Sequence, residues 1–212
     1  DEGLIEAQEP FRRLMNQGQV LAYTPYRKPR EGETLGVGED GILVSFAEAA
    51  DLPKDEVTWR WARMSKSKGN VVAPDEMVAS YGADALRLYL LFKAPFEADI
   101  QWETKGVEDT ARFLSKIFRF VDGRMATYDP DWENHIAFAE MTKADADLRR
   151  LTHQTIANVT KDVDAFGFNT YVSWLMKYVN GLNAATATSP YAWSETLSVL
   201  VRLLSPGAPH SA

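Results

Sequence analysis

The sequence predicts a mainly α-helical chain with a small β-rich stretch near its start. Three observations carry that expectation. Glycine and proline crowd between Thr24 and Arg60 around short β-branched and aromatic runs. After residue 70, apolar residues recur at three- and four-residue steps, the spacing of helices buried on one face. The last three of these amphipathic stretches have short connections, which favours an antiparallel bundle.

Residues 9–18 predict a short helix closed by Gly18, and Val20-Leu21-Ala22-Tyr23 a buried strand. Pro25, Pro29, Gly32, Gly36, Gly38 and Gly41 then punctuate an insertion with a strand at Ile42–Phe46 and another through Val57–Trp61. Gly36-Val37-Gly38-Glu39-Asp40-Gly41 spells the dinucleotide-binding G-x-G-x-x-G string. It precedes a strand instead of following one, however, and Glu39 and Asp40 would repel a pyrophosphate. A hairpin turn at Asp40-Gly41 is the expectation.

Pro74 suits the first position of a helix, Gly82 punctuates, and Ala83–Lys93 is rich in leucine. Leu114, Ile117, Phe118 and Val121 predict one apolar stripe. Thr152, Ile156, Val159, Val163 and Phe166 predict a second, and Val172, Leu175, Met176, Val179 and Leu182 a third. A last helix starts at Ser189-Pro190 and carries Leu197, Leu200, Val201 and Leu204. Trp102, Trp132, Trp174 and Trp193 share no element, so they are expected to fill core or interface rather than to stack on bases.

With 212 residues, 45% hydrophobic, the chain can bury one sizeable core or two small ones. It has no cysteine, which excludes disulfides and thiolate metal sites, and His135, His153 and His210 lie too far apart for metal-ligand spacing. No metal site is expected. The net charge of −7 argues against a protein coated in nucleic acid but leaves room for a local basic face. No apolar run is long enough to cross a membrane and the first residues lack a basic lead, so a soluble, cytoplasmic protein is expected; a monomer is the expectation for its assembly. The opening without Met and the stop at Pro209-His210-Ser211-Ala212 suggest a fragment. Asn158-Val159-Thr160 fits a glycosylation pattern and is read as chance.

The informative string is Arg63-Met64-Ser65-Lys66-Ser67-Lys68-Gly69-Asn70. Cations and hydroxyls alternate beside a glycine that frees the backbone, with no carboxylate among them, which suits a polyphosphate. On local composition alone, a solvated basic loop is the simpler reading.

Met64-Ser65-Lys66-Ser67 is followed by Gly69-Asn70-Val71-Val72, then Pro74, then Tyr81-Gly82-Ala83-Asp84-Ala85-Leu86-Arg87. This ordered run resembles the "KMSKS" loop and following helices of class I aminoacyl-tRNA synthetases. Lys68, Leu90–Pro95, Asp99-Ile100-Gln101-Trp102, Gly106-Val107-Glu108 and Arg112-Phe113-Leu114 are similar to the leucyl branch. So are Thr155–Thr160 and Phe168-Asn169-Thr170 in the bundle, and Glu9-Pro10-Phe11 and Gln17–Leu21 upstream. Two positions depart from the pattern. Arg63 stands where Lys is usual, and Ala73 stands where an Asp commonly caps the helix that Pro74 opens.

The resemblance implies a division of the chain. Residues 1–23 would end a Rossmann-type catalytic domain and 24–60 would form a small β insertion. Residues 61–130 would carry the loop and stem-contact helices, and 131–212 a truncated anticodon-binding-type helical bundle. It implies leucine activation with ATP and Mg2+, followed by transfer to tRNA(Leu). Lys66 is then the catalytic candidate, within an ATP-binding set of Arg63, Met64, Ser65, Lys66 and Ser67. Lys68 and the i, i+4, i+7 face Arg112, Lys116 and Arg119 are tRNA-binding candidates, although a solvated charged face is an equal reading of those three. The family's His-x-Gly-His element is not in this sequence, so the chain alone is expected to be inactive. The rivals are an isoleucyl, valyl or methionyl sister enzyme and a non-catalytic tRNA-binding module.

Overall fold

The structure, a computed structural model, describes residues 13–35 and 40–212. It is mainly helical with one small sheet. Strand β1 (Val20–Arg27) lies antiparallel to β3 (Val57–Arg63) from Leu21↔Arg63 to Arg27↔Val57. The other edge of β1 is shared. The two-residue strand β2 (Ile42–Leu43) pairs antiparallel at Tyr26 and Arg27, and β4 (Ile100–Gln101) pairs parallel at Val20 and Leu21. Strands β1 and β3 run through positions 23/24 and 60/61, so both of those expected boundaries fall inside strands.

Several expectations in this half are corrected. Residues 13–18 of the expected helix 9–18 are not helical, and residues 9–12 lie outside the described residues. The backbone groups bond elsewhere. The Gly18 amide donates to the Phe96 carbonyl at 3.0 Å and the Gln19 amide to Asp99 Oδ1 at 2.8 Å. A Cβ on Gly18 would lie 1.9 Å from the Ala98 carbonyl oxygen, so this glycine serves a close backbone approach rather than a helix end. The strand expected at Ile42–Phe46 stops at Leu43. Ser45 accepts a hydrogen bond from the Glu48 amide at 3.1 Å and opens helix α1 (Phe46–Asp51). Gly36–Glu39 of the G-x-G-x-x-G string lie outside the described residues; Asp40 pairs with Arg60.

Helices α2 (Pro74–Tyr81) and α3 (Ala83–Lys93) follow, with Pro74 in the first turn and Gly82 at φ +85° between them. Ala73 provides no side-chain cap. Helix α4 (Thr104–Asp122) packs on α3, where Thr110 Oγ1 donates to the Ala85 carbonyl at 2.8 Å. Its inward stripe is Val107, Thr110, Leu114, Ile117 and Phe120; Phe118 is exposed. Ile117 and Phe118 sit about 100° apart around the helix, and the stripe that includes Val107 and Thr110 is centred on the Ile117 side.

A short helix α5 (Trp132–His135) precedes the bundle of α6 (Lys143–Asp164), α7 (Phe168–Ala184) and α8 (Pro190–Leu204). Leu151 of α6 meets Gly181 near the end of α7, and Asp145 at the start of α6 holds Ser189 at the start of α8. Helices α6 and α8 are thus parallel and pack directly on each other, and α7, which links them in sequence, runs antiparallel to both. Leu148, Val159, Val172, Leu175, Val179, Leu182, Leu197, Leu200 and Leu204 are buried. Phe166 is not on the α6 stripe, because the helix ends at Asp164 and Phe166 turns at φ +59° to meet Phe96 and Phe168. Trp102, Trp174 and Trp193 are half-buried against the core, and Trp132 is half-buried at the start of α5.

Asp145 is the main polar joint of the bundle. Its carboxylate closes a capping box with Thr142 and accepts the Thr188 and Ser189 amides at 2.7 and 2.8 Å. Burial alone would raise its pKa, but hydrogen bonds from the Ser189 amide, the Thr142 hydroxyl and the Thr142 and Thr188 amides hold it at about 2. Asp145→Ala should cost about 2–4 kcal/mol, since it strands these donors in the interior. The folded-state pKa lies below the unfolded one, so this stabilisation is complete above about pH 4 and is lost as pH falls through about 2. Urea unfolding from pH 6 down to pH 2 should therefore show the gap between the native protein and Asp145→Asn narrowing with acid.

Candidate active-site loop

The loop starts where β3 ends. The Met64 amide donates to the Val20 carbonyl at 3.0 Å, extending the β1 ladder by one bond beyond Arg63. The chain then turns through a single 3-10 turn, Lys66–Lys68, closed by Lys68 N–H to Ser65 C=O at 3.0 Å and Gly69 N–H to Lys66 C=O at 3.2 Å. Gly69 ends it at φ +62°, a conformation that a residue with a side chain reaches only with strain.

Two residues without a role in the sequence reading fix this turn from beneath. Asn70 is 3% exposed, and its Oδ1 accepts the Ser65 amide at 2.9 Å. Its Nδ2 donates to the Arg63 carbonyl at 3.2 Å and to Thr24 Oγ1 on β1 at 2.9 Å. Thr24 is buried too, and its hydroxyl donates to the Ala22 carbonyl at 2.8 Å. The signal was a short amide directly after a loop glycine. Nothing in the sequence told whether that amide faced solvent or the sheet.

The sequence-nominated residues divide into two groups. Arg63, Met64, Ser65, Lys66, Ser67 and Lys68 run from the end of β3 through this one turn, with Arg63 and Lys66 exposed and Lys68 half-buried. Among the described residues, none of the three cations has an acidic partner. Arg112, Lys116 and Arg119 sit apart, on α4, and span about 10 Å of helix axis. They are not left bare: Arg112 pairs with Asp109, Lys116 donates to Asn180 of α7 at 2.7 Å, and Arg119 donates to the Ser115 carbonyl at 3.3 Å. Among the described residues, no group of three or more His, Asp or Glu side chains converges as a metal site. No helix among them is long and apolar enough to cross a membrane.

A second polar joint lies at the base of the helices that follow the loop. Buried Asp84, at the start of α3, takes His210 Nδ1 at 3.0 Å and Ser211 Oγ at 2.7 Å. Burial opposes its ionisation, yet the bonds from Ser211 and His210 hold its pKa below the ordinary carboxylate value. Arg87, one turn later, donates to the Gly207 and Pro206 carbonyls at 3.2 and 3.0 Å. The segment from Pro206 to Ser211 is thus docked on α3.

Known proteins match this arrangement. The family of tRNA synthetases class I (I, L, M and V) matches residues 60–103, which span β3, the loop, α2, α3 and β4. A leucine–tRNA ligase of Nostoc punctiforme is 41% identical over the whole chain, and one of Crocosphaera subtropica 38%. Among solved structures, a leucyl-tRNA synthetase of Agrobacterium radiobacter K84, in a ternary complex with tRNA and LeuAMS, aligns over 99% of the chain. Its TM-score is 0.68 and its identity 29%, and the chain covers 23% of it. A methionyl-tRNA synthetase of Mycobacterium tuberculosis shares the fold over 69% of the chain and 34% of its own, at TM-score 0.54 and 17% identity. Sequence and fold agree on the class that the chain resembles: it is homologous to class I tRNA synthetases. The relatives that match it from end to end are leucine–tRNA ligases, of whose length the chain spans about a quarter, 24%.

The turn itself yields a test. A Cβ on Gly69 would meet nothing within 4 Å, so substitution acts through the backbone alone. Gly69→Val should destabilise the closed turn by about 1–2 kcal/mol, and Gly69→Asn by less. Limited trypsin digestion should then nick Gly69→Val at Lys66 or Lys68 faster than the native chain, with Gly69→Asn between them.

Proposed function

We propose that the chain is the part of a leucine–tRNA ligase that carries the ATP-facing loop and helices that meet the tRNA. The observation that carries this reading is the homology to leucine–tRNA ligases along the whole chain, the loop included. In this reading residues 1–23 complete a Rossmann-type catalytic domain and 24–60 are its β insertion. Residues 61–130 hold the loop and stem-contact helices, and 131–212 belong to an anticodon-binding-type bundle. The intact protein is a cytoplasmic monomer that takes leucine, ATP with Mg2+, and tRNA(Leu).

In the proposed reaction a leucine carboxylate oxygen attacks the α-phosphorus of ATP. An O–P bond forms to give leucyl-adenylate, the bond from the α-phosphorus to the bridging oxygen breaks, and pyrophosphate leaves with the extra charge. A tRNA hydroxyl then displaces AMP from the leucyl carbonyl. Lys66 is the residue assigned to the departing pyrophosphate, in an ATP-facing set with Arg63, Met64, Ser65 and Ser67. A cation that meets charge developing in the transition state lowers the barrier, whereas one that binds the ground state equally well only tightens ATP. Its exposure, and its lack of an acidic partner among the described residues, support that role. Mg2+ would arrive with the nucleotide and supply further charge neutralisation.

In the full-length protein, Lys66→Ala should lower kcat for leucine-dependent ATP–pyrophosphate exchange about 10²–10³-fold while the ATP KM changes less. Lys68→Ala should do less. Lys66→Arg should rescue only part, because a planar fork does not place charge as an ammonium does. Equal damage from the two alanine variants would remove Lys66 from the role.

Lys68, Arg112, Lys116 and Arg119 are proposed to contact the tRNA backbone. Phosphate contacts carry no base identity, so reversing Arg112, Lys116 and Arg119 together should weaken all tRNAs alike and flatten the salt dependence of binding. Lys116 is tied to Asn180, so the two arginines should account for most of that change. Filter-binding titrations across a salt series would measure both quantities.

A further inference from the structure

We infer that Asn70 is a positioning residue for leucine activation, one that sets where the Lys66 ammonium stands without touching substrate; the inference rests on the functional reading above. Three hydrogen bonds carry it, all made by one buried carboxamide. Oδ1 accepts the Ser65 amide at 2.9 Å, and Nδ2 donates to Thr24 Oγ1 at 2.9 Å and to the Arg63 carbonyl at 3.2 Å. The amide orientation follows from its surroundings. Thr24 Oγ1 spends its proton on the Ala22 carbonyl, so toward Asn70 it can only accept. A flipped amide would set oxygen against the Arg63 carbonyl and nitrogen against the Ser65 N–H, losing all three bonds.

The consequence is a relay of fixed geometry from sheet to loop. Thr24 belongs to β1, whose edge toward β3 is paired along seven register positions, so Thr24 is a rigid anchor. Ser65 immediately precedes Lys66, and Asn70 follows the left-handed Gly69. The carboxamide thus bridges the two ends of the 3-10 turn and bolts both to β1. No other side chain of that length offers two donors and an acceptor at once. Aspartate would face the Arg63 carbonyl with negative charge and lose both donors. Alanine would leave the Ser65 amide and the Arg63 carbonyl without their partner at the base of the loop.

A loop held this way presents its lysine already aimed. A misplacement of about 1 Å by a residue remote from the chemistry can cost on the order of 10²-fold in rate. Loosening the relay should therefore lower kcat and leave leucine binding alone.

The test is a double-mutant cycle in the full-length protein, read by leucine-dependent ATP–pyrophosphate exchange alongside hydrogen exchange of the peptide spanning residues 63–70. Asn70→Ala is expected to lower kcat about 10–100-fold with the leucine KM within about twofold of native. Asn70→Asp should do no better. Thr24→Val should cost less in the same direction, and Thr24→Ser should keep most of the rate because it retains the hydroxyl. In a Lys66→Ala background, Asn70→Ala should add less than about threefold, since the residue acts through the lysine. The peptide should lose protection in Asn70→Ala while the thermal midpoint stays within a few degrees. An Asn70→Ala enzyme with native kcat, an equal cost in both backgrounds, or unchanged protection of the 63–70 peptide would each overturn the inference. A native full-length protein with no leucine-dependent exchange would overturn the functional reading instead, and the exchange of the 63–70 peptide would still decide whether Asn70 holds the loop.

Discussion

Every amide and carbonyl of a buried strand has to find a partner, and β1 finds its partners on three segments distant from one another in sequence. β3 takes one edge; β2 and β4 divide the other. Once β4 is fixed against Val20 and Leu21, the turn before α4 is fixed, and α4 can lay its stripe on α3. Once β3 is in register from Arg27↔Val57 to Leu21↔Arg63, the loop has a defined first residue and a defined direction. The register also alternates the faces. Ala22, Thr24 and Tyr26 turn to the buried side, while Tyr23 stacks on Trp59 and Trp61 on the other. A one-residue slip would move Thr24 off the loop side and break the bond to Asn70.

The helical half is specified differently, by buried polar groups set among leucines. Tyr178 donates to Thr152 Oγ1 at 2.9 Å, Thr152 meets Thr196 at 3.1 Å, and buried Glu195 takes Arg149 at 2.6 Å and His153 at 3.0 Å. Burial pushes the Tyr178 phenol well above its usual pKa, which favours the protonated, donating form. Leucine stripes on three helices tolerate rotations and one-turn slides at modest cost. These pairs do not, because a slide leaves a donor or a carboxylate unpaired in the interior. With Asp145 pinning the start of α8, the parallel arrangement of α6 and α8 follows.

What could be read in advance follows the same divide. Helices α4, α6, α7 and α8 were legible because a 3.6-residue period is a local property of the sequence, and α2 and α3 because Pro74, Gly82 and a leucine-rich stretch mark them locally. Their errors, Phe118 and Phe166, sit at the margin of a stripe and just past a helix end. The sheet half was legible only in outline. Val20–Tyr23 and Val57–Trp61 were found but cut short, since strand length is set by the partner and not by the strand. Ser45-Phe46-Ala47-Glu48 did carry a helix-start pattern, which the β-branched run before it obscured. Gly18 could not be understood without Ala98, eighty residues away in sequence. The cations of the loop were readable as candidates, but their assignment to a polyphosphate came from resemblance. The carboxamide beneath them was invisible, because burial of one polar side chain has no period.

The placement of the loop also reconciles an acidic chain with the anionic partner proposed for it. Net charge of −7 is spread over the whole surface, and at physiological salt a surface charge is felt over only about 8 Å. Arg63, Lys66 and Lys68 fall within six residues on a turn whose backbone bonds are internal, and among the described residues no carboxylate pairs with them. Several cations elsewhere are spent locally: Arg27 on Glu33, Arg60 on Asp40, Lys93 on Glu103, Arg149 on Glu195. In the proposed reading, an incoming polyphosphate meets the charge of this one turn. How firmly that charge is held depends on its two supports. One is rigid, the buried amide on β1. The other is α2, which has no buried residue and joins α3 through Gly82 at φ +85°, while α3 itself is clamped by the 206–211 segment through Arg87 and Asp84. Of the two supports the amide on β1 is the more buried, while α2 meets the core only through half-buried Met77 and Tyr81. In the proposed relay the lysine is therefore held chiefly from the sheet.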